Sequence, residues 1–206
     1  MIALPPELLQ DRVVAVLRAK SMAAPREIGA ALVRAGVRCI ELTYTIADVL
    51  PHIAAVAQIP GAVVGAGTVL SAQQARDAIA AGARFLVTPA VRPEVATVAK
   101  AAGVPVIMGA FTPTEVAAAI DLAPAAIKIF PSDVGGPAYL KSLRGPFDKV
   151  QFMPSGGVTA QNAKDWLKAG AVAVSAGSSL ASTDSLIAGD HARIAAAAAE
   201  FVNALK

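Results

Sequence analysis

The sequence predicts an α/β fold, a (β/α)8 TIM barrel built as a single domain over residues 1–206, and three observations predict it. Eight short β-rich runs follow one another, with starts roughly 20–26 residues apart, which leaves room for one helix and two short loops per interval. The intervals carry helical periodicity and helix caps rather than strand alternation. The unit also repeats too evenly for an open doubly wound sheet, and no G-x-G-x-x-G follows the first run.

Residues 1–12, MIALPPELLQDR, read as a short helical extension ahead of the first strand, VVAVLR from Val13. The next strands are CIELTY from Cys39, AVVGAGTV from Ala62 and FLVTPA from Phe85. PVIMGA from Pro105, AAIKIFP from Ala125, VQFMPSGG from Val150 and AVAVSAG from Ala171 complete the eight. After the third strand, SAQQARDAIAAG opens with Ser71 as N-cap and ends at Gly82, a left-handed position just past the helix. After the fifth, TPTEVAAAIDLA places Pro113 behind Thr112, with Glu115 spaced to complete a capping box. An Ala-Gly pair ends several helices in this way, at Gly36, Gly82, Gly103 and Gly170. A last helix from about Ile187 to Leu205 is expected to close the ring.

A chain of 206 residues that is 55% hydrophobic and 16% charged can bury a sizeable core and is not disordered. Its mean hydropathy of +0.58 is high. Even so, apolar stretches such as Ala169 to Thr183 are interrupted by Gly and Ser and are too short to span a bilayer. The N-terminus lacks the basic-then-apolar plan of a signal peptide, so a soluble cytoplasmic protein with no membrane partner is expected. The net charge is +3, but the basic residues are scattered and aromatics make up only 4%, which argues against nucleic acid as a partner. Small anionic substrates suit the balance better. A single cysteine, Cys39, excludes an internal disulfide and reads as core packing.

In such barrels chemistry gathers at the C-terminal ends of the strands. One lysine there is out of place. Lys128 sits among Ala126, Ile127, Ile129 and Phe130, and strand alternation puts it on the face opposite the isoleucines, pointing into the barrel. Burial disfavours an ammonium and lowers its pKa, which frees an amine for attack on a carbonyl. Lys128 is therefore the candidate Schiff-base nucleophile, with structural pairing to Glu41 as the alternative. Glu41 stands between Ile40 and Leu42 on the face it shares with Cys39 and Thr43, and is the candidate general acid/base.

Arg18, Thr43, Thr68, Pro89, Phe130 and Ser155 fall at the same rim and are candidates for the substrate pocket. Gly156-Gly157 and Gly177-Ser178 follow the seventh and eighth strands, where paired glycines let backbone N–H groups approach a phosphate. A metal centre is not expected. His52 and His191 are the only histidines and lie away from the rim, and Glu41 is the sole acid at a strand end. Asp133, just beyond the sixth strand, reads as a loop or cap residue.

Arg18 in VLR, Glu41 in IELT, GAGTVL, Lys128 in KIFPSDVGGPAYLKSLRGPF and PSGGV resemble, in order, the motifs of the 2-keto-3-deoxy-6-phosphogluconate (KDPG) aldolase family, which includes 4-hydroxy-2-oxoglutarate (KHG) aldolases. The similarity runs from about Val13 to Leu180. The resemblance implies a cofactor-free, metal-independent class I aldolase that splits KDPG reversibly into pyruvate and glyceraldehyde 3-phosphate, with Lys128 forming the imine and Glu41 moving protons. It implies that Arg18, Thr68 and Pro89 lie near the pyruvate carboxylate or line the pocket. Gly156, Gly157, Gly177 and Ser178 match the phosphate loops, and a homotrimer is expected. Three positions depart from the common pattern: Thr45 where many members have arginine, Ala90 after Pro89, and Ser155 in place of the threonine of P-T-G-G. KHG, or the C4 epimer of KDPG, therefore stays open as substrate. A barrel isomerase or synthase with the same phosphate loops is the rival reading, and it leaves Lys128 without a task.

Overall fold

A computed structural model describes residues 2–206; Met1, the first residue of the expected extension, lies outside the described residues. All eight expected strands form: β1 (Val13–Leu17), β2 (Cys39–Thr43), β3 (Val63–Gly67), β4 (Phe85–Val87), β5 (Val106–Ala110), β6 (Ala126–Ile129), β7 (Phe152–Pro154) and β8 (Val174–Ala176). They pair in parallel in the order β7-β6-β5-β4-β3-β2-β1-β8. A bridge between Ser155 and Ser175, and a 3.0 Å hydrogen bond from Val172 N–H to the Phe152 carbonyl, bring the two ends together. The sheet is a nearly closed barrel.

The helices are α1 (Pro6–Asp11), α2 (Pro25–Arg34), α3 (Val49–Ala57), α4 (Ala72–Ala80), α5 (Pro93–Ala102), α6 (Pro113–Ile120), α7 (Gly136–Leu143), α8 (Ala163–Lys168), α9 (Thr183–Ala188) and α10 (His191–Leu205). The expected caps are present. Ser71 Oγ accepts from Gln74 N–H, and Thr112 and Glu115 form the full capping box. Gly36, Gly82, Gly103 and Gly170 all take positive φ. The expected single helix from about Ile187 to Leu205 is corrected to two, α9 and α10. Gly189 is left-handed at φ +68, which ends α9, and the Asp190 side chain accepts from Arg193 N–H to start α10.

Alternation along each strand separates two cores. Outward residues such as Ile40, Leu42, Ile127, Ile129 and Val174 pack under the helices. Inward residues such as Val14, Cys39, Phe85, Ile107 and Met153 fill the barrel, and Leu4 and Leu8 plug its N-terminal end. Arg38 fixes that plug, donating through Nε (2.9 Å) and its backbone N–H (3.0 Å) to Asp11 Oδ2 at the end of α1. Burial pushes the Cys39 thiol up to about 12, as inert packing requires.

The parallel register, followed around the tilted strands, stacks inward side chains in layers of four drawn from alternate strands. Cys39, Phe85, Ala126 and Ala173 make one layer, and Val14, Gly65, Ile107 and Met153 the next. The third holds Glu41, Val87, Lys128 and Ser175. The barrel is thus apolar below and turns polar in one step.

The capping box predicts a stability effect. Thr112→Ala should cost about 1 kcal/mol and lower Tm by roughly 2–4 °C for a chain of this size. The backbone N–H groups of Thr112 and Phe111 hold the Glu115 carboxyl below the usual glutamate range. Its stabilisation is therefore present above the ordinary glutamate pKa and is lost as pH falls through the lowered folded value. Thermal melts of wild type and Glu115→Gln should differ near neutrality and converge in acid.

Candidate active site

Lys128 and Glu41 come from strands on opposite sides of the barrel, so only closure brings them together. Their side chains are 2% and 0% exposed, and Lys128 Nζ lies 3.8 Å from Glu41 Oε1. At that separation they are an ion pair but not hydrogen-bonded. Both Glu41 oxygens lack a hydrogen-bond partner among the described protein groups. The ammonium also faces the Phe130 ring, 5.3 Å from its centroid. Burial lowers the Lys128 pKa, Glu41 opposes that shift, and Arg18 adds to it.

Glycine in β3 makes the space. A Cβ at Gly67 would collide with the Glu41 carboxylate, and one at Gly65 with the Phe85 ring. The GAG of β3 is thus a packing requirement of the acid and of the apolar layer beneath it. Gly109 on β5, paired with Lys128, likewise admits the Pro89 backbone. Thr88 shapes that turn, donating to Ala90 O (2.7 Å) and accepting from Gly109 N–H (3.0 Å).

Beyond the pair, Arg18 Nη2 donates to Thr68 Oγ1 at 3.4 Å. Thr68 has φ +57, an unusual conformation for a β-branched residue, of the kind that concentrates at working sites. Thr43 is buried; its hydroxyl donates to Leu17 O (3.0 Å) and shares a 2.7 Å hydrogen bond with Thr45.

A cavity of about 630 Å³ opens above this layer, lined in part by Arg18, Phe130, Ser155, Gly156, Gly157 and Gly177. Ser178 lines it as well, while Lys128, Glu41, Thr43, Thr68 and Pro89 do not. Among the described residues its only charged lining groups are Arg18 and Lys20, so it suits an anion.

The two glycine loops form one end of the cavity. Gly156 and Gly157 have φ of +100 and +67. The Ser132 hydroxyl braces the first loop by donating to Gly156 O (2.6 Å). Ser179 Oγ joins the second loop to the first by donating to Val158 O (2.6 Å). The N–H groups of Gly156, Gly157, Ser178 and Ser179 bond to no acceptor among the described residues. A Cβ at Gly177 would meet nothing within 4 Å, so glycine there is not demanded by packing; it leaves a clear approach to the backbone. Asp133 lies in the 3-10 turn Ser132–Val134 against Gly157 and serves the loop. No three His, Cys, Asp or Glu side chains converge as metal ligands would among the described residues. No helix among them is long and apolar enough to cross a membrane.

The family described as KDPG and KHG aldolase matches residues 6–197. The chain belongs to that family. It is 38% identical to the 2-dehydro-3-deoxy-phosphogluconate aldolase of Dickeya dadantii over 84% of this chain and 82% of that one. It is 36% identical to the KHG/KDPG aldolase of Escherichia coli K12, covering 94% and 92% of the two chains. A solved structure described as native KDPGal superposes with a TM-score of 0.86 at 32% identity, covering 94% of this chain and 93% of the other. This aldolase therefore shares both its barrel and its sequence with that family across nearly its whole length.

Several residues of the aldolase site escaped sequence reasoning. Lys20, Thr159 and Thr183 line the cavity. Ser175 lies inside the barrel, with its hydroxyl buried. Counting in twos from Ala173 would have found Ser175. Lys20 gave no such signal, since its side chain leaves a loop.

Proposed function

We propose that this aldolase cleaves KDPG reversibly to pyruvate and glyceraldehyde 3-phosphate, as a class I enzyme that needs no metal and uses Lys128 as its Schiff-base nucleophile. The carrying observation is the buried Lys128–Glu41 pair, 3.8 Å apart, directly beneath an anion-suited cavity. A barrel isomerase or synthase would have no use for a lysine stripped of water.

The depressed Lys128 pKa supports a neutral amine fraction. The amine attacks C2 of the keto acid to give a carbinolamine, and loss of water leaves an iminium. Glu41 takes the C4 hydroxyl proton as the C3–C4 bond breaks, and the electron pair flows to the iminium nitrogen. That releases the aldehyde and leaves an enamine. Glu41 returns the proton to C3, and water then hydrolyses the imine to free pyruvate and the amine.

Arg18, oriented by Thr68, supplies positive charge for the pyruvate carboxylate, Phe130 lines the pocket, and Thr43 and Pro89 support it from behind. The free N–H groups of Gly156, Gly157 and Ser178, with Gly177 keeping the approach clear, hold the phosphate. A cytoplasmic enzyme fits the small-molecule partners.

Three measurements test this reading. Incubation with pyruvate and borohydride should add a reduced pyruvyl mass to the Lys128 peptide, and Lys128→Ala should abolish it; labelling at Lys100 or Lys141 instead would sink the assignment. In the same experiment Glu41→Gln should still trap pyruvate while losing ~10²–10⁴-fold in turnover. Light scattering at micromolar concentration should return a homotrimer, as the family resemblance implies, and a monomer would contradict it.

Ser155 follows β7 directly, beside the phosphate loop, and lines the cavity. A substrate fixed at both Lys128 and Gly156-Gly157 presents its C4 oxygen there. The gluconate-type substrate should be preferred over its C4 epimer, and Ser155→Val should narrow that preference roughly 2–10-fold, the worth of one neutral hydrogen bond. The ratio of kcat/KM for the two epimers measures this, and an unchanged ratio removes the role.

A further inference from the structure

The layer that holds Glu41 and Lys128 has a third polar member that the mechanism above does not use. Ser175 is 1% exposed, and its Oγ has no hydrogen-bond partner among the described protein groups. Its direction follows from β8. Val174 and Ala176 pack outward under the helices, and Ala173 packs inward. Ser175 pairs with inward-facing Val14 on one side and bridges Ser155 on the other. The hydroxyl therefore points into the barrel at the level of the ion pair.

Packing alone does not require it. The neighbouring residues Ala171, Val172, Ala173, Val174 and Ala176 are all apolar. A hydroxyl buried without a partner is a cost, and so is an unbonded carboxylate oxygen. Three of the buried atoms without a protein partner belong to this one layer: Ser175 Oγ, Glu41 Oε1 and Glu41 Oε2. Lys128 cannot satisfy Glu41 by itself, because 3.8 Å is beyond hydrogen-bond range. A buried water takes two to four polar partners, and it can donate to a carboxylate while exchanging a hydrogen bond with a hydroxyl.

We propose that Ser175 is a positioning residue for the aldol reaction: its hydroxyl anchors one water molecule inside the barrel, and that water bonds Glu41 and keeps its carboxylate aimed at C3 of the bound pyruvate. The proposal rests on the Schiff-base reading. The need is greatest when Lys128 is neutral, since Glu41 then lacks its counter-charge within the barrel. A donor held by Ser175 keeps the carboxylate in place through that step. Imine formation needs only the amine and the keto acid, whereas proton transfer at C3 needs Glu41 in register.

That difference sets the experiment. With pyruvate alone, borohydride trapping reports the imine, and methyl deuterium uptake in D2O, followed by proton NMR, reports transfer at C3. Ser175→Ala should trap at close to the wild-type rate but exchange roughly 10–100-fold more slowly, the range for a hydrogen bond to a charged group. Ser175→Thr, which keeps the hydroxyl, should exchange at near the wild-type rate. Wild-type exchange in Ser175→Ala would overturn the proposal, as would equal losses of trapping and exchange with a lowered Tm, which mean packing. A wild-type protein that traps no pyruvate would instead remove the Schiff-base reading beneath it.

Discussion

A lysine and a glutamate face each other 3.8 Å apart inside a barrel, both sealed from solvent, and the rest of the site is arranged around that pair. Taking two charges out of water is expensive, and their mutual attraction repays it only when the remaining hydrogen bonds are made. Here they are not all made by the protein, which leaves polar capacity directly under the cavity. The layers below stay apolar, from Phe85 and Ile107 down to the Leu4–Leu8 plug. Any substrate that reaches the lysine therefore finds an apolar floor and a carboxylate that no protein group bonds, where electrostatic and proton-transfer effects are strong.

Small residues hold the arrangement open. Gly67 yields its side-chain volume to Glu41, Gly65 to Phe85 and Gly109 to the Pro89 turn. These glycines are needed for close approach rather than for unusual dihedrals. At Gly156 and Gly157 the reason differs. Both have positive φ and backbone N–H groups that bond to no acceptor among the described residues, and Ser132 and Ser179 brace the loops in that shape. The site is thus built from two materials, a buried charged pair beneath the cavity and backbone dipoles at one end of it. On the reading proposed above, a keto acid that carries phosphate at its far end engages both at once.

Much of this was legible in the sequence. The spacing of eight β-rich runs, the Thr112–Glu115 box and the Ala-Gly helix ends are local signals, and local signals survive into the fold because each depends on only a few neighbouring residues. Lys128 stood out for a similar reason, as a charge inside an apolar run. The break between α9 and α10 was just as local, at Gly189-Asp190, but helical periodicity on both sides masked it.

The barrel class, the rim on which polar residues gather, and the strands that carry the lysine and the acid can all be read from the residues alone, since alternation assigns each side chain a face. Which faces meet depends on how the whole sheet closes. The register around a tilted, closing sheet brings β2, β6 and β8 to one level, so that Glu41, Lys128 and Ser175 become neighbours although they are far apart in the chain. It also decided that Gly67 stands where it does for the sake of Glu41 and that Lys20 joins Arg18 at the cavity. Those contacts depend on strand stagger and loop direction summed over the whole ring, quantities that no short stretch of sequence contains.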